Sequence, residues 1–198
     1  MKRSRYHYII FFKPYGVLSQ FTDGMGRQTL GDFGPFPKEI YPVGRLDRDS
    51  EGLLLLTDDN GSKHHLTDPA FGHERTYLVQ VERAPSNEAL RQLRSGVIIE
   101  GKRTRPAKVR LLENEPNLPD RAVPIRFRKT VPTAWLEITL TEGRNRQVRK
   151  MTAAVGHPTL RLVRIRLGSI SLEGLSPGKS RPLTDKETGK LLGIISRK

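Results

Sequence analysis

The run G-R-L-D-R-D-S-E-G-L-L-L-L-T-D-D, from Gly44 to Asp59, constrains the fold more than any other stretch of the chain. Its four consecutive leucines are closed by Asp58-Asp59-Asn60-Gly61, which suits a short buried strand ending in a tight turn. The acids Asp47, Asp49 and Glu51 gather at the entrance to that strand, so burying the leucines anchors an acidic loop on the core. Across residues 31–60, three Lys and Arg stand against seven Asp and Glu, while the whole chain carries +14. An acidic island in so basic a protein is where an acidic reactive group would meet an anionic substrate.

The chain has 198 residues, enough for one substantial core or two small ones sharing a cleft. No apolar run approaches the roughly 20 residues that span a bilayer, so no membrane partner is expected. The opening M-K-R-S-R-Y-H-Y-I-I-F-F is too short in its apolar part for a signal peptide and lacks a small-residue cleavage site. Cytoplasm is the expected compartment. The absence of cysteine excludes disulfides, thiol catalysis and zinc fingers. Residues 121–170 hold eleven Lys and Arg against only Glu137 and Glu142. Such a concentration points to a polyanionic partner, because each neutralised phosphate releases counterions. A solubilising basic surface, or a ribosomal-type protein, is the competing explanation.

Tyr6 to Phe12 is aromatic and β-branched and runs into Lys13-Pro14-Tyr15-Gly16, a strand followed by a turn. Gly24 to Pro37 reads as loop. Thr76 to Glu82 is a further strand. Asn87 to Ser95 has Ala89, Leu90 and Leu93 at helical spacing, with Gly96 as its stop. Val97 to Ile99 and Ala107 to Leu112 are strand-like, and the proline-rich residues 113–133 form a long excursion. Ala134 to Thr141 alternates as a half-buried strand, Arg146 to Val155 reads as a helix, and Leu160 to Leu172 as strands. The tail after Lys186 is expected to be disordered or a frayed helix. Many strands with two short helices give an α+β fold.

Asp47, Asp49, Glu51 and Asp58 fall near an EF-hand spacing. Four leucines inside the would-be calcium loop, with Tyr41-Pro42-Val43-Gly44 before it, exclude that reading, and no metal is expected. Asp47 and Asp49 could also serve as a hydrolase's paired carboxylates. Arg45 and Arg48 flank them, however, and adjacent cations favour an ionised nucleophile over a proton donor. In E-G-R-N-R-Q-V-R-K-M, the cations Arg144, Arg146, Arg149 and Lys150 surround a helix start, with Arg161, Arg164 and Arg166 extending the basic surface. A guanidinium there could grip phosphate or a buried carboxylate. Tyr77 by itself suits a strand core. His64, His65 and His157 lack the spacing of a metal site and read as structural, and Asn60-Gly61 reads as a turn.

Three segments together resemble the pseudouridine synthases of the RsuA/RluB/RluE/RluF group. They are F-F-K-P-Y-G-V-L from Phe11, the Gly44–Asp59 run, and E-G-R-N-R-Q-V-R-K-M-T-A-A-V-G-H-P from Glu142. The phrase L-R-S-G-V-I-I-E-G-K-R-T-R-P-A-K-V also looks like the family. F-T-D-G-M-G-R-Q-T-L and P-I-R-F-R-K-T-V-P-T-A-W-L look closest to the RluE branch, which acts on 23S ribosomal RNA. Many relatives carry a small RNA-binding domain before the K-P-Y-G strand. Only about ten residues precede it here, so RNA is expected to be held by the catalytic domain itself.

The resemblance implies conversion of uridine in RNA to pseudouridine without a cofactor. Carried over by position, Asp47 resembles the catalytic aspartate, Arg144 the arginine that pairs with it, and Tyr77 the tyrosine that stacks on the uracil. Arg45 matches the arginine that displaces the target nucleotide, and Leu162 the apolar residue beneath the base. Arg146, Arg149, Lys150 and Arg164 are expected to hold RNA. Reaching a uracil requires flipping its nucleotide from the stack, at a cost of a few kcal/mol repaid by pocket contacts. The expectation is therefore a single α+β catalytic domain with a mixed, mostly antiparallel sheet. Its two β-rich halves, residues 1–75 and 76–185, flank a basic cleft. Its partner would be large-subunit ribosomal RNA, and it would act as a monomer. A non-enzymatic RNA-binding or ribosome-assembly protein would explain the charge equally well, but not an Asp set between arginines ahead of a leucine strand.

Overall fold

The computed structural model describes residues 6–125 and 131–195. In chain order it contains β1 (Tyr8–Lys13), β2 (Tyr41–Pro42), β3 (Glu51–Thr57), α1 (Asn60–Thr67), β4 (Arg75–Glu82) and α2 (Asn87–Ser95). There follow β5 (Ile98–Ile99), β6 (Lys102–Arg103), β7 (Lys108–Leu111), β8 (Thr133–Leu140) and α3 (Gln147–Ala154). β9 (Thr159–Leu167), β10 (Ile170–Ser171), β11 (Ser180–Pro182) and α4 (Asp185–Ile195) complete the chain. One sheet runs in the order β11-β1-β3-β9-β4-β8-β7, with β2 beside β3 and β10 beside β9, and β5 and β6 form a separate hairpin. Every pairing between these strands is antiparallel except that of β3 with β9. The fold is α+β with a mixed, mostly antiparallel sheet.

The leucine run explains why β3 is central. All seven of its residues are buried, and successive side chains point to opposite faces. Leu53 and Leu55 enter a core with Tyr8, Ile10, Phe12, Leu66, Leu183 and Leu191. Leu54 and Leu56 enter another with Phe11, Val17, Leu30 and Ile40. Each buried leucine contributes about 1.5–3 kcal/mol, so the run pins this strand and its register. A further core, built from Val79, Val81, Leu136, Ile138 and Leu162, lies under Leu90 and Leu93 of α2 and Met151 of α3.

The join between β3 and β9 is narrow and specific. Its ladder pairs Glu51 with Val163 and Gly52 with Arg164. Gly52 has φ +106°, and a Cβ there would lie 2.2 Å from the Arg164 carbonyl oxygen, so only glycine fits this approach. Beside it, Arg161 donates from Nε and Nη2 to the two carboxylate oxygens of Glu51, both at 2.9 Å, in a buried bidentate pair.

Several expectations change. Asp58-Asp59-Asn60-Gly61 is a helix start rather than a hairpin turn: the Asp59 side chain accepts from the Ser62 N–H and caps α1. Of the two alternatives for the tail after Lys186, disorder or a frayed helix, residues up to Ile195 are helical and form α4, because Thr184-Asp185-Lys186-Glu187 is a capping box. Thr184 N donates to Glu187 Oε2 at 2.8 Å, Glu187 N donates to Thr184 Oγ1 at 3.2 Å, and Leu191 is buried in the core. From the C-terminal portion, β11 pairs with β1, and Leu183 and Leu191 join the core of Tyr8, Ile10 and Leu53. The excursion after β7 is irregular yet docked, with Leu118 against that same core and the Pro119 carbonyl accepting from Arg161 at 2.8 Å. Residues 126–130, within the branch-specific phrase from Pro124, lie outside the described residues. Among the described residues no helix is long and apolar enough to cross a membrane.

Arg161→Met leaves the Glu51 charge buried and unpaired, so unfolding by urea should show a loss of about 3–5 kcal/mol. Combining it with Glu51→Gln should recover part of that loss. Equal stability of Arg161→Met and wild type would contradict the pair's role.

Candidate active site

Asp47 sits at the head of the turn that leads into β3. Ser50 N donates to the Asp47 carbonyl at 3.0 Å and closes the turn. The loop is fastened from several sides. Ser19 Oγ donates to the Leu46 carbonyl at 2.8 Å and accepts from Leu46 N at 3.1 Å. Gly16 N donates to the Arg48 carbonyl at 2.8 Å, and Arg48 Nε donates to the Gly16 carbonyl at 3.1 Å. Lys13, fully buried, donates from Nζ to the carbonyls of Pro14, Val17 and Arg48 at 2.9, 2.7 and 3.4 Å. The K-P-Y-G turn is thus a brace for the acidic loop.

This loop forms one wall of a cleft of about 660 Å³. Arg45, Asp47 and Arg48 line it from the N-terminal side, Arg75 and Tyr77 from β4, Glu142 to Val148 from the start of α3, and Leu162 and Arg164 from β9. Tyr77 and Arg164 are direct cross-strand partners, and alternation along each strand brings Arg75 and Leu162 onto the same face. Asp47, Arg45, Tyr77, Arg146, Leu162 and Arg164 are therefore brought together as the sequence suggests.

Arg144 is not brought to Asp47. Its guanidinium donates to the carbonyls of Ile99, Lys102 and Arg103 at 3.1, 3.3 and 3.4 Å and holds the β5–β6 hairpin. The cation facing Asp47 is Arg146, whose Nη1 lies 3.6 Å from Asp47 Oδ2. Its two Nη groups donate to the two oxygens of Asp49 at 2.9 and 2.7 Å. Arg149 supports it: Nη2 donates to the Asp49 carbonyl at 2.6 Å, and Nε lies 3.4 Å from Asp49 Oδ2 without hydrogen-bond geometry. Arg146 reaches this place from a left-handed backbone at φ +50°, a conformation that costs about 1–2 kcal/mol outside glycine. Lys150 pairs with Glu100 at 2.7 Å rather than lining the cleft.

The two aspartates of the loop consequently differ. Partial burial pushes the Asp49 carboxyl up, but hydrogen bonds from Arg146 and the charges of Arg149 and Arg146 outweigh it and hold it below the usual range. Asp49 absorbs the bidentate grip. Asp47, with its side chain 35% exposed, has no hydrogen bond to its carboxylate among the described residues, so its oxygens face the cleft available for a substrate. The remaining acids are dispersed: Glu51 to Arg161, Asp58 to His7, and Asp59 to the α1 cap. Among the described residues no cluster of three or more His, Asp or Glu is placed to hold a metal ion. His65 stacks on Phe71, and His157 Nδ1 lies 3.1 Å from the Glu82 carbonyl.

Sequence reasoning passed over Arg75 and Lys13. Arg75 stands two residues before Tyr77 on a strand, so the period of two could have placed it in the same cleft. Nothing in the sequence distinguishes Lys13 as a buried lysine.

The cleft thus brings together an acid left free by its neighbour, the Tyr77 ring and several arginines. The comparisons with known proteins agree. Residues 7–154 match the family described as RNA pseudouridylate synthase. The chain is 56% identical over 171 residues to the ribosomal large subunit pseudouridine synthase E of Xanthomonas axonopodis pv. citri, covering 85% of this chain and 90% of that protein. It is 38% identical over 188 residues to the ribosomal large subunit pseudouridine synthase B of Bacillus subtilis, covering 94% of this chain and 72% of that one. A solved pseudouridylate synthase superposes with a TM-score of 0.79 at 30% identity, covering 96% of this chain and 76% of that chain. The chain belongs to the RNA pseudouridylate synthase family.

Two predictions follow from the loop's partners. Arg146→Ala should slow turnover far more than Arg144→Ala in a single-turnover assay, and the reverse order would contradict the pairing. Burial lowers the Lys13 pKa from 10.5 to about 7, against the opposing charges of Glu51, Asp49 and Asp47. Between those values the unfolded chain holds a proton that the folded chain lacks, so stability rises with pH, by up to about 1.4 kcal/mol per unit. Urea unfolding at about pH 7.5 and pH 9 should show this rise in wild type and its loss in Lys13→Met. The same rise in both proteins would refute it.

Proposed function

We propose that this protein isomerises a specific uridine in large-subunit ribosomal RNA to pseudouridine, with Asp47 as the nucleophile and no cofactor. The observation that carries this reading is the Asp47 carboxylate, left without a hydrogen bond among the described residues on a cleft of about 660 Å³ while Arg146 and Arg149 grip Asp49. Tyr77 gives a π-face for the flipped uracil and a hydroxyl for proton transfer. Leu162 supports the base from below, and Arg45, exposed at the rim, takes part in displacing the nucleotide from its stack. Arg146, with Nη1 3.6 Å from Asp47 Oδ2, keeps the carboxylate oriented. The names of the relatives, which specify the ribosomal large subunit, support the RNA class. The chain acts as a monomer in the cytoplasm, with residues of both its N-terminal portion (1–75) and the portion from 76 to 185 lining the cleft of one catalytic domain. Asp47→Asn should fold, bind large-subunit ribosomal RNA with wild-type affinity and form no pseudouridine. Turnover near the wild-type rate would sink the nucleophile assignment.

A further inference from the structure

Arg75 and Arg164, side by side on the strands that line the cleft, have no carboxylate partner among the described residues. Arg164, only 3% exposed, donates from Nε to the Leu53 carbonyl at 2.8 Å, and its buried Nη2 has no hydrogen-bond partner among the described residues. Arg75 donates to the carbonyls of His73 and Leu66 at 3.2 and 3.1 Å, and burial lowers its pKa. By contrast, Arg146 and Arg149 meet Asp49, and Arg161 meets Glu51. A buried donor left unsatisfied costs about 1–3 kcal/mol, and more when charged, so a guanidinium kept this way beside a substrate cleft calls for a function.

The position selects the ligand group. Arg164 faces Tyr77 across the β4–β9 ladder, at the foot of the cleft, where a base stacked on that ring would lie. The phosphodiester remains with the strand at the rim, near the exposed Arg45 and Arg48. We propose that Arg75 and Arg164 bind the carbonyl oxygens of the flipped uracil and stabilise the negative charge it carries once detached from its sugar. The proposal rests on the isomerase reading. In that reaction an Asp47 carboxylate oxygen bonds C1′ as the C1′–N1 bond breaks, and the electron pair of the broken bond stays on the base, spread over N1, O2 and O4. After rotation a C5–C1′ bond forms as the C1′–Asp47 bond breaks and frees the carboxylate, C5 loses its proton, N1 takes one up, and the composition of the RNA is unchanged. Two cations in a partly dehydrated pocket act on this transient charge far more than on the neutral base, which is the condition for speeding the reaction rather than tightening binding.

The test compares single-turnover consumption of the target uridine with that of 5-fluorouridine at the same position of a large-subunit ribosomal RNA fragment, at saturating enzyme. Fluorine withdraws electrons and stabilises the base anion without help from the protein. Arg75→Gln should slow the uridine substrate about 10²-fold, as losing one such donor does elsewhere, and slow the fluorinated one by no more than about 10-fold. RNA affinity should stay within about threefold. Arg164→Lys, which keeps a charge in the buried position, should fall between wild type and Arg164→Gln. Should Arg164→Gln fail to fold, Arg75→Gln decides the matter alone. Equal slowing of both bases overturns the proposal. So does weakened RNA binding with an unchanged saturated rate, the signature of a phosphate grip. A wild-type protein that consumes neither substrate removes the isomerase reading and this proposal together. A wild type active on both, with no discrimination in the variants, removes this proposal only.

Discussion

The site depends on the seam where β3 meets β9. Two residues of parallel ladder, a glycine pressed against the Arg164 backbone and the buried Glu51–Arg161 pair hold it. Upstream of the seam lies the turn bearing Asp47; within it lies Arg164; across the next ladder lies Tyr77. A shift of β3 by one residue would turn every leucine to the other face and carry Asp47 with it. The hydrophobic packing of the leucines and the polar pairing at the seam therefore fix the same quantity, the position of one carboxylate against one aromatic ring.

The acidic island also has an internal division of labour. Asp49 draws in Arg146 and Arg149, Glu51 draws in Arg161, and each neutralises a cation that would otherwise compete for substrate. Asp47 is left with a cation at 3.6 Å and, among the described residues, no hydrogen bond to its carboxylate. In the proposed role of nucleophile, such support without a direct bond leaves Asp47 ready, because a bidentate partner would have to be released before reaction. The left-handed turn at Arg146 is the local strain that this arrangement carries.

Much of this was legible in the residues. The leucine run, the alternation of β8 and the capped helix from Asn87 to Ser95 all follow from period and end signals, and the structure has them. Asp47, Tyr77 and Leu162 converge as expected. What failed was contact-level detail. Arg144 and Arg146 are two residues apart in one motif, and only the backbone turn between them decides which reaches the aspartates. Asp59 looked like part of a turn because a helix cap and a tight turn use the same residues. The capping box at Thr184 was readable and was passed over behind the assumption of a loose end. The unpartnered nitrogen of Arg164 has no sequence signature, since it is a property of what fails to come near.

Central to the account is that the cleft changes the glycosidic bond of one uridine rather than merely holding RNA. The most direct measurement is pseudouridine mapping, at nucleotide resolution, of large-subunit ribosomal RNA from a strain lacking this protein and from the same strain with it restored. The account predicts one uridine that is unmodified in the first and pseudouridine in the second. Identical maps from the two strains would contradict it.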